Sequence, residues 1–217
     1  MTVRRNVAVL ISGRGSNMQA LVRACAAPDY PAEIVLVLSN RADAAGLDFA
    51  REAGIPTAVI SHKDFPDRAS FDAAMDAEIQ RHGVELICLA GFMRLLDARI
   101  IEAWRDRMIN IHPSLLPSFR GLDTHGRALE AGVKLAGCSV HFVRAEVDTG
   151  PIIAQAAVPV LPGDTPDSLA ARILEQEHLI YPMALRLLAE GRVRVEGDRA
   201  IVDAPTTTVS LRNPDVP

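Results

Sequence analysis

The chain has few aromatic side chains, few cysteines and no long apolar run, and each shortage excludes something. Six Phe, two Tyr and one Trp in 217 residues leave the core to aliphatic side chains. The three cysteines, Cys25, Cys88 and Cys138, are odd in number and far apart. They form no CxxC or Cys/His spacing for a metal, so neither zinc nor a disulfide framework is expected. Buried reduced thiols in a cytoplasm are the expectation. Residues 1–6 carry two arginines, but the apolar run behind them, 7–11, stops at Ser-Gly-Arg-Gly, too short for a signal segment or a membrane span. Positive charge is not in excess either. With 23 Lys+Arg against 27 Asp+Glu the net charge is −4, which supplies no general field for nucleic acid. Gly and Pro, at 14 each, are too sparse for a fibrous or low-complexity chain. What remains is a compact, soluble domain, with 49% hydrophobic residues to fill a core.

The apolar segments come in two alternating textures. Residues 7–11, 34–38, 57–60, 86–90 and 108–111 are short and nearly continuous in apolar side chains, as strands buried on both faces are. Between them, 17–26, 44–53, 70–82 and 97–104 show helical spacing, with Gly54 and Gly83 where C-terminal caps belong. The alternation predicts repeated βαβ units, an α/β fold with a mostly parallel, Rossmann-like sheet and helices on both faces. Residues 112–126 are too irregular for either element. Strands are expected over 135–143 and 152–160, joined by 144–150, and then a helix over 165–190 that Pro182 kinks or breaks. From Thr206 onward the tail is polar and expected to be loose. One domain is expected over 1–217, with a phosphate-binding half near 1–105 and a second half near 106–205.

Four short segments carry polar chemistry. Ser12-Gly13-Arg14-Gly15-Ser16-Asn17 joins the first strand to the first helix, where unpaired N–H groups and the helix dipole suit a phosphate. It is not the dinucleotide fingerprint, since Met18 stands at the third glycine, and it lacks the Gly-Lys-Ser/Thr ending of a P-loop. A plain tight turn capped by Ser16 or Asn17 would use the same residues. Asn110 and His112 fall on one side of an extended segment at a strand's carboxyl end, where open α/β sheets gather ligands. An amide donor beside an imidazole can stabilise an oxyanion and move a proton; a cap and a structural histidine would read the same. Asp148-Thr149-Gly150 is either a plain Asx turn or a carboxylate delivered to His112. Gln176-Glu177-His178 by itself reads as a solvated helix face.

Taken together and in this order, the segments are identifiable. VAVLISGRGSNMQAL, LSNRADAAGL, LAGFMRLL, INIHPSLLP, GCSVHFV, VDTGPII and QEHLIYP, spread from Val7 to Pro182, resemble phosphoribosylglycinamide formyltransferases, folate-dependent enzymes of purine synthesis. The resemblance implies formyl transfer from 10-formyltetrahydrofolate, as cosubstrate, to the amine of glycinamide ribonucleotide, without a metal. It implies Asn110, His112 and Asp148 as the catalytic trio, and Gly15, Ser16 and Asn17 as the phosphate cradle. Glu177 matches the ribose-contacting carboxylate. Arg68, Met93, Arg94, Leu95 and Leu96 match folate contacts, as do Asn110 and Asp148. Arg144, Ala145, Glu146 and Val147 match the loop flanking the pterin. The expected partners are these two small molecules, with no nucleic acid or membrane, in a monomer or homodimer.

Ser118 and Asp123-Thr124-His125 depart from the family's usual lysine and His-Thr-His, and Phe119-Arg120-Gly121 looks more like formyltransferases acting on other amines. That leaves a sugar-amine formyltransferase as the alternative enzyme, and a non-catalytic nucleotide-binding module as the alternative outside catalysis. Two relatives are disfavoured. A methionyl-tRNA formyltransferase would be expected to carry a further C-terminal domain, and a formyltetrahydrofolate hydrolase a further N-terminal one.

Overall fold

The computed structural model describes residues 4–206 and 208–214; the expectation of a loose tail therefore lies partly outside the described residues. Seven strands form one sheet in the order β3-β2-β1-β4-β5-β6-β7. β1 (Arg5–Ile11), β2 (Ala32–Ser39), β3 (Thr57–Val59), β4 (Leu86–Leu89) and β5 (Met108–His112) are parallel. β6 (Leu135–Phe142) and β7 (Ile152–Pro159) add antiparallel strands at one side. The connection between β6 and β7 is too short for a crossover, so an antiparallel turn is the solution open to it.

Alternation along the strands divides the core. Val7, Val9 and Ile11 face a layer holding α1 (Ser16–Cys25), α2 (Gly46–Glu52), α5 (Thr124–Glu130) and α6 (Pro166–Ala189). Ala8 and Leu10 face Phe71, Met75 and Ile79 of α3 (Arg68–Arg81) and Ile100 and Ile101 of α4 (Ala98–Ala103). Helices thus cover both faces, and the strands read as continuous apolar runs because both sides are buried. All three cysteines are buried.

α6 begins where its sequence directs. Thr165 and Ser168 form a capping box, and Pro166 occupies the first turn. The helix runs on through Pro182 without a break. Ile180, Tyr181, Ala184 and Leu185, all buried around the proline, hold it against the sheet. The Tyr181 hydroxyl reaches the carbonyls of Leu89 (2.9 Å) and Ile109 (3.2 Å), tying α6 to β4 and β5. One helical turn earlier, the same face carries Glu177.

One helix and one hairpin were not expected. α5 occupies the end of the segment read as irregular, and β8 (Val193–Glu196) pairs with β9 (Arg199–Val202) in a separate hairpin.

Candidate active site

The strand order reverses between β1 and β4, and the crevice at such a switch point is where open α/β sheets hold ligands. The first wall is the turn after β1. Gly15 precedes α1 in the left-handed region (φ 72°), and no side chain caps the helix start. A Cβ at Gly15 would lie 3.1 Å from the Met18 methyl and 3.2 Å from the Gly46 Cα, so the turn is closely packed from behind. The Gly46 N–H also donates to the Gly13 carbonyl (3.1 Å). The first-turn amides of α1 are therefore without a side-chain cap.

Asn17, in the first turn of α1, donates through Nδ2 to Glu177 Oε2 at 2.6 Å. Asn17 Oδ1 is buried and has no partner. Glu177 is only 6% exposed, and burial pushes its carboxyl above the usual range, although the Asn17 amide pulls the other way. What looks in sequence like a solvated face is therefore a buried carboxylate beside a helix N-terminus. Two residues 160 positions apart meet because Tyr181 and its neighbours seat α6 on the sheet.

The second wall is the end of β5. His112 Nε2 lies 3.1 Å from the Phe119 carbonyl. A carbonyl only accepts, so Nε2 carries the proton. His112 Nδ1 is left facing Asp148 Oδ2 at 3.3 Å. The same Asp148 oxygen accepts from the Gly121 N–H at 2.9 Å. Burial pushes the His112 imidazole below its ordinary value, opposed by the Phe119 carbonyl and the Asp148 carboxylate. For Asp148 burial acts upward, but His141, the Gly121 N–H and His112 together hold the carboxyl below its usual range. Asp148 itself has a left-handed φ of 54°, a conformation that aspartate tolerates better than most residues. A Cβ at Gly150 would sit 1.7 Å from the Phe142 carbonyl, so the turn that delivers Asp148 needs that glycine.

Asn110 pairs with His141 across β5 and β6. Its Nδ2 is 3.2 Å from His141 Nε2, which lies 3.6 Å from Asp148 Oδ1. His141 Nδ1 faces the Phe142 carbonyl at 2.9 Å. With Nδ1 turned to that carbonyl, Nε2 accepts one amide N–H of Asn110, and the second N–H of that amide remains for a ligand. Donor, imidazole and carboxylate stand together on adjacent strand ends, an arrangement able to support acyl transfer to an amine.

A family model described as formyl transferase matches residues 5–185. Phosphoribosylglycinamide formyltransferase of Haemophilus influenzae is 44% identical over 199 residues, covering 92% of this chain and 94% of that protein. The chain belongs to the phosphoribosylglycinamide formyltransferase family. Glycinamide ribonucleotide transformylase 1 of Symbiobacterium toebii superposes with a TM-score of 0.90 at 51% identity, covering 92% of this chain and 94% of that one. The trifunctional purine biosynthetic protein adenosine-3 of Bos taurus is 52% identical over 192 residues, which are 88% of this chain but only 19% of that larger protein.

Within this formyltransferase the remaining candidate residues separate into two groups. Met93, Arg94 and Leu95 are exposed and Leu96 is buried, on the loop after β4. Arg68 and Arg94 both lie close enough to Asp72 to lower its carboxyl, which burial raises. Arg144 is committed elsewhere: it pairs with Asp106 at 2.5 Å and stacks on Phe142. Ala145, Glu146 and Val147 are exposed beside it, and Glu146 meets Arg120 at 3.6 Å. The departing loop touches His112 and Asp148 through main-chain atoms of Phe119 and Gly121, so its side-chain differences leave those contacts intact.

Sequence reasoning missed His141, Gly46 and the Phe119 carbonyl. The first two lie in GCSVHFV and LSNRADAAGL, but only strand pairing and packing give them partners. A carbonyl leaves no trace in a sequence.

Proposed function

We infer that this formyltransferase moves the formyl group of 10-formyltetrahydrofolate to the amine of 5-phosphoribosylglycinamide, giving formylglycinamide ribonucleotide and tetrahydrofolate in purine synthesis. The observation that carries the reading is the convergence of Asn110, His112 and Asp148 at the end of β5 and the β6–β7 turn, in the sheet whose β1 runs into the uncapped start of α1. Gly15, Ser16 and Asn17 would take the phosphate and Glu177 the ribose hydroxyls. The half near 1–105 supplies the cradle and the half near 106–205 the chemistry, with Glu177 reaching back between them. Arg68, the segment from Met93 to Leu96 and the loop from Arg144 to Val147 would flank the folate.

The amine nitrogen attacks the formyl carbon, and the carbonyl oxygen becomes an oxyanion. The free N–H of Asn110 donates to that oxygen, and positive charge on His112 supports it. The amine proton passes to the Asp148–His112 pair, and the pair returns a proton to N10 as the C–N10 bond breaks. Burial opposes charge on His112, while the Phe119 carbonyl and the Asp148 carboxylate favour it. Both ligands are small molecules. No helix among the described residues is long and apolar enough to cross a membrane, and the buried thiols suit a reducing cytoplasm.

The test is formyl transfer by the purified chain with glycinamide ribonucleotide and, separately, with amino sugars. Turnover confined to the ribonucleotide supports the reading, and a preference for an amino sugar overturns it. His112→Ala should cost roughly a hundredfold or more in turnover while both ligands still bind.

A further inference from the structure

We propose that Ser12 is a positioning residue that couples the two ligand sites, its hydroxyl joining the phosphate turn to the folate-side segment across the crevice. This rests on the placement of the two ligands given above.

Ser12 lies one residue beyond β1, is 6% exposed and belongs to none of the contacts assigned so far. Its Oγ accepts from the Met93 N–H at 2.8 Å and donates to Asn40 Oδ1 at 2.5 Å. Asn40 lies one residue beyond β2, is 4% exposed, and places its Nδ2 3.4 Å from His62 Nδ1. A hydroxyl has one proton, so the relay runs in one direction, from Met93 N–H through Ser12 to Asn40. Its members come from the carboxyl ends of β4, β1 and β2, and the link from Ser12 to Met93 crosses the point where strand order reverses.

The segment that Ser12 holds is an exposed stretch between two buried anchors, Phe92 and Leu96. Met93 and Leu95 are 61% and 57% exposed, and Arg94 between them is exposed too. The next side-chain anchor is Asp72, which accepts from the Asp97 N–H at 2.5 Å. Ser12 itself opens the turn that contains Gly13 and Gly15. Breaking the relay would leave the buried Asn40 amide oxygen and the part-buried Met93 N–H without these partners, so a small shift of the phosphate turn is passed on to Met93 rather than absorbed. The two ligands then bind with positive coupling, and the coupling is reciprocal.

The experiment is titration calorimetry of the full chain with tetrahydrofolate, which carries no formyl group to transfer, with and without saturating glycinamide ribonucleotide. The wild type should bind tetrahydrofolate roughly fivefold or more tightly when the ribonucleotide is present. In Ser12→Ala the ratio should fall to about one, with each ligand still bound alone. Ser12→Cys keeps the shape with a slightly larger atom but offers a weak acceptor, and should lose the coupling in the same way. A purely structural role for Ser12 would lower thermal stability and leave the ratio unchanged. An unchanged ratio in either folded variant, or a wild-type ratio of one, overturns the proposal. If wild-type protein binds the ribonucleotide and its dephosphorylated nucleoside equally, the ligand placement fails first and the coupling with it. That result needs no Ser12 variant, so the two failures are distinguishable.

Discussion

His112 is held from both sides, its Nε2 3.1 Å from the Phe119 carbonyl and its Nδ1 3.3 Å from Asp148 Oδ2. The carbonyl fixes the tautomer, and the carboxylate waits at the nitrogen that gains a proton. Asp148→Asn keeps the shape and removes the charge that raises the His112 pKa. The imidazole of this variant should titrate at lower pH than in the wild type, and turnover should fall roughly a hundredfold or more. Imidazole NMR through a pH series, beside a turnover assay, checks both. A His112 titration that does not move would reduce Asp148 to a turn residue.

His141 accepts one amide proton of Asn110 and stands beside Asp148. His141→Leu should free the Asn110 amide to rotate and should leave Asp148 with one partner fewer. We expect turnover to fall by about tenfold to a hundredfold, with much smaller changes in KM for either substrate. Equal loss in both parameters would point instead to general damage of the pocket.

Glu177 combines a binding role with a cost to the fold. Its folded pKa is raised by burial, so the stability it contributes is complete below the ordinary carboxylate value and is lost as pH rises through the raised value. Glu177→Gln retains an oxygen for the Asn17 amide and removes that loss. The variant should match the wild type in acid and melt at a higher temperature near neutrality, while its KM for glycinamide ribonucleotide rises. Parallel melting curves across pH would contradict the burial argument.

Gly15 sits at φ 72° with Met18 and Gly46 close behind it. Gly15→Val places a branched side chain where both backbone and space oppose it. Affinity for the ribonucleotide should fall by about tenfold or more, while tetrahydrofolate alone binds as before. Calorimetry with each ligand separately reads this.

Much of the fold is legible in the sequence because the parallel strands are buried on both faces and so appear as apolar runs. Met108 to Ile111 is one such run, and it carries Asn110 in its middle. α5 escapes such reading because it is seven residues long, follows Asp123 in a left-handed conformation and contains Gly126. The hairpin of β8 and β9 escapes because its strands have four residues each and alternate Val193 and Val195 with Arg194 and Glu196. Pro182 reads in sequence as a kink or a break. The helix is not broken there, since the packing of Tyr181 and Leu185 carries α6 on past it. In the site, the motif residues are legible from their resemblance to a family. The contact between Asn17 and Glu177 and the place of His141 depend on long-range packing, and no local pattern encodes them.

The account rests most heavily on the start of α1 as a phosphate site whose binding energy positions a distant amine. The direct measurement compares formyl transfer to glycinamide ribonucleotide with transfer to its 5′-dephosphorylated nucleoside, at saturating 10-formyltetrahydrofolate. Loss of the phosphate should lower kcat as well as affinity, because the amine is then less well held against the formyl carbon. Equal kcat/KM for the two acceptors would contradict both the cradle and the assigned substrate.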